Sequence, residues 1–310
     1  MKRSTKVLAT LAVALLGLTV ACSSDSKTST SSGSSSSAAA TAKLSIGYQD
    51  FGESQILAEI YAQGLKAKGY DTSTQKLGGF RDLEIKAFDG GTINYAPEYA
   101  ASMLEDLNGK KGEATSNVDE TVTKLQTQLD AKKLKALKAS DAVDTNAFVV
   151  TKATADKLGL KTLSDLAAKG AALKLGAPAD CETNPFCIPG LKKTYNVDLS
   201  GNLQTLETAA VADALDAGSV DVGLLFSTDG RIAAKGWVLL QDDQHMLAAD
   251  NVLPVASDAL AGNADLVKAT DAITAKLTTE KLIEMNKRFD IDKEDAAVIA
   301  KDFLTQQGLI

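Results

Sequence analysis

His245 is the only histidine among 310 residues, and this alone limits the chemistry open to the chain. A Ser/His/Asp triad would have to use it, yet no Gly-x-Ser-x-Gly elbow leads into a helix. Its setting, Asp242-Asp243-Gln244-His245-Met246, reads as a surface loop. Zinc sites built on several histidines are excluded by arithmetic, so no cofactor or metal is expected. Gly78-Gly79 and Gly90-Gly91 lack the Gly-x-Gly-x-x-Gly spacing and a phosphate-loop lysine, and read as turns. The other candidates are the aromatic and acidic side chains of Tyr95-Ala96-Pro97-Glu98-Tyr99 and Tyr48-Gln49-Asp50, with Phe226. Among them Glu98 and Asp50 are acids that can meet a cationic group directly. The bland alternatives are a core tyrosine on the face shared with Met103 and Leu104, and a phenylalanine that ends a buried strand.

The elements that must position these residues alternate between two periods. Leu44-Ser45-Ile46 alternates like a strand, and Ile56, Leu57, Ile60, Tyr61 and Leu65 recur at helical spacing before Gly69. Thr92 to Tyr95 predicts another strand, with Pro97 in the first turn of the helix that follows. Ala147 to Val150, Leu173 to Gly176, Val220 to Leu225 and Trp237 to Leu240 suit strands buried on both faces. Ala209 to Ala217 and most of Ala264 to Gln307 are helical in period. The pattern is that of an α/β chain with mostly parallel sheets, long enough for two lobes. Such lobes bind ligands beyond the carboxyl ends of their strands. The candidate loops are therefore those from Tyr48, from Tyr95, from Ala177 to Pro189 and from Phe226 to Arg231.

The amino terminus carries an address. Met1 to Lys6 is basic, and the apolar run Val7 to Val20 makes a helix of roughly 21 Å, short of a ~30 Å hydrocarbon core. With Ala21 before Cys22, residues 1–21 read as a signal peptide and Cys22 as a lipidated cysteine. Residues 22–42, with ten serines between Ser23 and Ala42 and no large apolar side chain, read as a tether. In an exported chain the two remaining thiols, Cys181 and Cys187, are expected to form a disulfide. Lys+Arg total 33 against Asp+Glu 40, a net charge of −7, which offers nothing to nucleic acid.

Further motifs point to a family. Gly47-Tyr48-Gln49-Asp50-Phe51-Gly52-Glu53-Ser54 running into Ile56 to Gln63, Pro97 to Ser102, Val149 to Lys152 and Leu163 to Ala167 occur in order. So do Pro189 to Tyr195, Ser219 to Val222, Ser227 to Ile232 and Leu240 to Asp243. Together they resemble the substrate-binding proteins of ABC importers for glycine betaine, choline and related osmoprotectants, over nearly all of residues 43–310. The resemblance implies a type II, periplasmic-binding-protein-like α/β fold of two lobes, residues 43–145 plus 251–310 and residues 146–250, joined by two crossing segments. It implies an aromatic cage for a quaternary ammonium. Tyr99 and Phe226 match cage positions, while the other two fall on Asn146 and Ala212. Gln49, Ser102 and Asn184 stand where relatives hold a ligand carboxylate, Asn184 in place of an arginine.

The expected protein is a monomeric, lipid-anchored receptor on the extracytoplasmic face of the cell membrane. It hands a small quaternary amine to an ABC permease, and no enzyme activity is expected. Because half the cage is absent, the same receptor binding a different zwitterion or polar metabolite stays open. A third reading, from another class, is an exported α/β hydrolase using His245.

Overall fold

The computed structural model describes residues 42–79, 81–169 and 172–310. The signal peptide, Cys22 and nearly all of the tether lie outside the described residues. Within residues 40–310 the chain builds two five-stranded sheets in turn. The first lobe begins with β1 (Lys43–Gln49), α1 (Gly52–Ala67), β2 (Asp71–Gly78), α2 (Arg81–Asp89), β3 (Tyr95–Tyr99), α3 (Ala100–Asn108), α4 (Val118–Asp130) and β4 (Leu134–Ala136). The chain then crosses to form β5 (Asn146–Val150), α5 (Lys152–Leu158), α6 (Leu163–Lys169), β6 (Leu175–Ala177), α7 (Ile188–Tyr195), β7 (Leu203–Thr205), α8 (Thr208–Asp216), β8 (Val222–Phe226), α9 (Gly230–Ala234) and β9 (Val238–Leu239). It returns as β10 (Val252–Ser257), α10 (Asp258–Ala261), α11 (Ala264–Thr274), α12 (Thr279–Asp290) and α13 (Ala296–Gln306).

The sheet orders are β2-β1-β3-β10-β4 and β7-β6-β8-β5-β9. Each sheet is parallel except for the strand that enters it from a crossing: β10 runs against β3 and β4, and β5 runs against β8 and β9. The reason is geometric. A strand arriving from the other lobe starts at the cleft, whereas its neighbours end there. Register therefore brings Val252 opposite Tyr99 and Asn146 opposite Phe226, which fixes the cleft edge of both sheets.

Alternation along the central strands explains why both faces are covered. Val252 and Ala256 of β10 join the cluster formed with α1, α11, α12 and α13, while Leu253 and Val255 join the one formed with α3 and α4. In β5, Phe148 and Val150 face one cluster and Ala147 and Val149 the other. Side chains of period two, all apolar, demand helices on each side.

Two expectations are corrected. Of the strand expected at Thr92 to Tyr95 only Tyr95 is strand, the first residue of β3, and Pro97 lies inside β3 and not in a helix, which starts at Ala100. It sits opposite Pro254, and two residues without an N–H can face each other only where the ladder needs no bond from either. No described helix is long and apolar enough to cross a membrane.

Candidate functional site

The cleft is lined where strands run into helix starts. Tyr99 ends β3 and stands at the N-cap of α3, where its side chain makes no cap bond. The free N–H groups of that helix start are satisfied from the crossing: the Ala101 and Ser102 amides donate to Asp250 Oδ1, at 2.8 and 3.0 Å, and the Ser102 hydroxyl donates to Oδ2 at 2.6 Å. The second crossing thus doubles as the cap of the helix behind Tyr99. The two crossings lie side by side, with the Asp144 amide donating to the Asp250 carbonyl and Val143 bridged to Asn251.

Tyr99 is 5% exposed. Its hydroxyl donates to Glu53 Oε1 at 2.7 Å, and the Phe51 ring lies 6.2 Å away, tilted by 33°. Phe51 and Phe226 are 40% and 43% exposed, one from each lobe and each just past or at the cleft end of its strand. Phe51 was not singled out by sequence reasoning, although its place directly after β1 in a candidate loop was a usable signal. Asn146, at the mouth of β5, donates its amide to the Phe186 carbonyl. Ala212 is packed into the second lobe's core on α8, so the cage position it matches carries no ring and no open face.

The remaining predicted residues are placed as follows. Gln49 is buried, its amide donating to Glu98 at 3.1 Å and reaching Glu84 at 3.5 Å. Asp50 is exposed and paired with Lys76 at 2.6 Å. Glu98 is fully buried and accepts from Arg81 Nε and Nη2, Gln49 and the Tyr99 amide, so both its oxygens are already engaged within the protein. The Asn184 side chain accepts from the Phe186 amide at 2.9 Å, and Cys181 and Cys187 are bonded beneath that loop. Phe186 packs on the first lobe's cluster, which carries the loop across the cleft. His245 lies in an exposed turn at φ 55°, in the left-handed region.

Carboxylates dominate the electrostatics at the crossing. Burial raises Glu53, Asp144 and Asp250, and Asp144 is raised further by the charges of Glu53 and Asp250. The Arg81 guanidinium offsets part of this at Asp250 and is itself spent on Glu98. Each of these acids therefore holds its proton more readily than a free carboxyl does. Sequence reasoning placed Thr228 in a candidate loop without singling it out, and it missed Asn286, because nothing in the helical sequence around Asn286 marks it.

Two α/β lobes whose strand ends face one another, joined by paired crossings, define a two-lobe solute-binding protein. Residues 42–306 match the family described as the substrate binding domain of ABC-type glycine betaine transport systems, and the chain belongs to that family, whose members are binding proteins and not enzymes. It is similar to the glycine betaine-binding protein YehZ of Escherichia coli, 26% identical over 279 residues that span 86% of this chain and 90% of the relative. A glycine-betaine-binding protein of Pseudomonas aeruginosa is 26% identical over 285 residues, spanning 86% and 88%. Among solved structures, a glycine betaine/carnitine/choline ABC transporter protein superposes with a TM-score of 0.73 at 26% identity, covering 86% of this chain and 99% of that one.

Proposed function

We propose that this chain is the extracytoplasmic receptor of an ABC importer and binds a quaternary amine, such as glycine betaine, choline or carnitine, between its lobes. One observation carries the reading. Aromatic rings stand at the cleft ends of strands from both lobes, Phe51 and Tyr99 from the first and Phe226 from the second. A trimethylammonium group needs ring faces, and it needs no hydrogen-bond acceptor. The relatives named above support the ligand class through the ligands in their names.

The hinge runs through Asp144 and Thr145 on one crossing and Asp250 and Asn251 on the other, dividing residues 43–145 plus 251–310 from 146–250. Tyr99 and Phe226 take the cation, with Asn146 at the rim. Gln49, Ser102 and Asn184 shape the walls around it, and Asp50 stays at the solvent edge. Lipidation at Cys22, after removal of residues 1–21, would keep a monomer within reach of its permease. No observation favours the hydrolase, since the sole histidine sits in a surface turn.

The test is a thermal-shift and calorimetric titration of the purified protein with glycine betaine, choline and carnitine. At least one raises Tm in a saturable way, and Tyr99→Ala weakens that ligand tenfold or more, the loss of one desolvated cation–π contact of about 2 kcal/mol. Binding of none of the three, or an unchanged Kd in Tyr99→Ala, contradicts the reading.

A further inference from the structure

Glu53 is a buried acid in the first turn of α1, and three side chains converge on it from three separate parts of the chain. The Tyr99 hydroxyl donates to Oε1 at 2.7 Å. The Thr228 hydroxyl donates to Oε2 at 2.7 Å, from the second lobe. The Asn286 amide, on α12, donates to the same Oε2 and also to the Thr228 carbonyl at 3.1 Å. All four residues are buried. Beside them the lobes meet backbone to backbone: a Cβ placed on Gly230 would lie 2.7 Å from both the nitrogen and Cα of Lys287. Thr228 itself is held from the hinge, its amide donating to Asp144 Oδ1 at 3.2 Å.

We propose that Glu53 is a positioning residue that couples Tyr99 to lobe closure, one carboxylate oxygen holding the tyrosine and the other receiving Thr228 of the opposite lobe. A carboxylate is planar and rigid, so fixing one oxygen orients the other. When the second lobe swings away, Oε2 loses Thr228 and Asn286 loses the Thr228 carbonyl, so the carboxylate and its remaining partner are free to turn together. Closure then sets the direction in which the Tyr99 hydroxyl points and, through it, the plane of the ring. The bond also draws the phenolic hydrogen toward an acid, which enriches the ring that a cation would face. Because coupling free energies are reciprocal, a guest that presses on the Tyr99 ring favours the closed arrangement by the same amount that closure favours the guest. That last step rests on the function proposed above, whereas the link between Thr228 and Tyr99 does not.

The experiment is a double-mutant cycle read on two probes. Tyrosine ring carbons are labelled and the Tyr99 signal is assigned with Tyr99→Phe. Thr228→Val, which keeps shape and removes the hydroxyl, is made alone and together with Glu53→Gln. Thr228→Val shifts the Tyr99 ring signal and weakens choline or glycine betaine about tenfold, whichever binds wild type. Thr228→Ser restores both. In the Glu53→Gln background, adding Thr228→Val changes neither. A Tyr99 signal that ignores Thr228→Val, or effects of the two substitutions that simply add, overturns the proposal. If wild type binds neither probe, the ring signal still decides the coupling, and the failure falls on the proposed function. If Glu53→Gln does not fold, the contrast between Thr228→Val and Thr228→Ser decides.

Discussion

Asp250 shows how one residue can serve two structural roles. It caps α3 behind Tyr99 and lies on the second crossing, and burial pushes its carboxyl up to about 6 against the donors that pull it down. An acid whose folded pKa lies above its unfolded value binds its proton more readily when folded. Stability is therefore greatest below the unfolded pKa and is lost as pH rises through the folded one, by on the order of 3 kcal/mol for a shift of this size. Glu53, Glu84 and Asp144 are raised in the same direction and share this sign, whereas carboxylates held low by surface partners, such as Asp198 beside Lys192 and Glu294 beside Arg288, lose their contribution only at lower pH. Tm should rise as pH falls from about 7 to about 5, and Asp250→Asn, which keeps the cap's shape, should rise less. Equal rises in the two proteins, measured by calorimetry, would show that Asp250 does not titrate in this window. At this scale the sequence was only half legible. Tyr99 and Phe226 stood out through their match to the family's cage positions, Tyr99 within an expected helix that the structure replaces by the end of β3. Glu53 did not, because its partners Thr228 and Asn286 are 175 and 233 positions away and an acid in a first helical turn has an ordinary explanation.

At the scale of elements, periodicity located β1, β5, β6, β8, β9 and the carboxyl-terminal helices, since apolar runs and 3.6-residue spacing survive in any fold that buries them, but it set β3 at Thr92 to Tyr95 and did not mark β10. It failed where burial is partial or where a special residue intrudes. β2 reads Asp-Thr-Ser-Thr-Gln-Lys-Leu-Gly, an edge strand with no apolar alternation to reveal it, and Pro97 mimicked a helix start. The direction of β5 and β10 was not legible at all, because an apolar strand looks the same from either end. The meeting of α9 with α12 carries a prediction. A methyl group at Gly230 would collide with Lys287 backbone, whereas one at Gly262 finds its nearest neighbour, the Asp258 carbonyl, at 3.4 Å. Gly230→Ala should weaken the quaternary amine at least tenfold and leave the Tm of the ligand-free protein within about 2 °C, since each lobe keeps its own core. Gly262→Ala should change neither. A large fall in ligand-free Tm for Gly230→Ala would mean that the junction holds the fold together and not the closed state.

The whole molecule is two cores joined by two strands of backbone, and this sets what it can do. Each lobe has hydrophobic clusters on both faces of its own sheet, so separating the lobes exposes few core residues. Among the described residues, contacts that bridge them include Thr228 on Glu53 and Asn286, Gly230 on Lys287, the Ala249 amide on the Thr115 carbonyl, Phe186 on the α3 cluster and Pro185 beside Gly112. A ligand shifts such a balance only by its differential affinity for the closed form. The central claim is that a quaternary amine supplies that difference between the lobes. Small-angle scattering of the protein with and without saturating glycine betaine, choline or carnitine tests it most directly. The account predicts that the amine that raises Tm also lowers the radius of gyration, and that Tyr99→Ala abolishes the change. An amine that binds tightly while the scattering curve stays the same would contradict it.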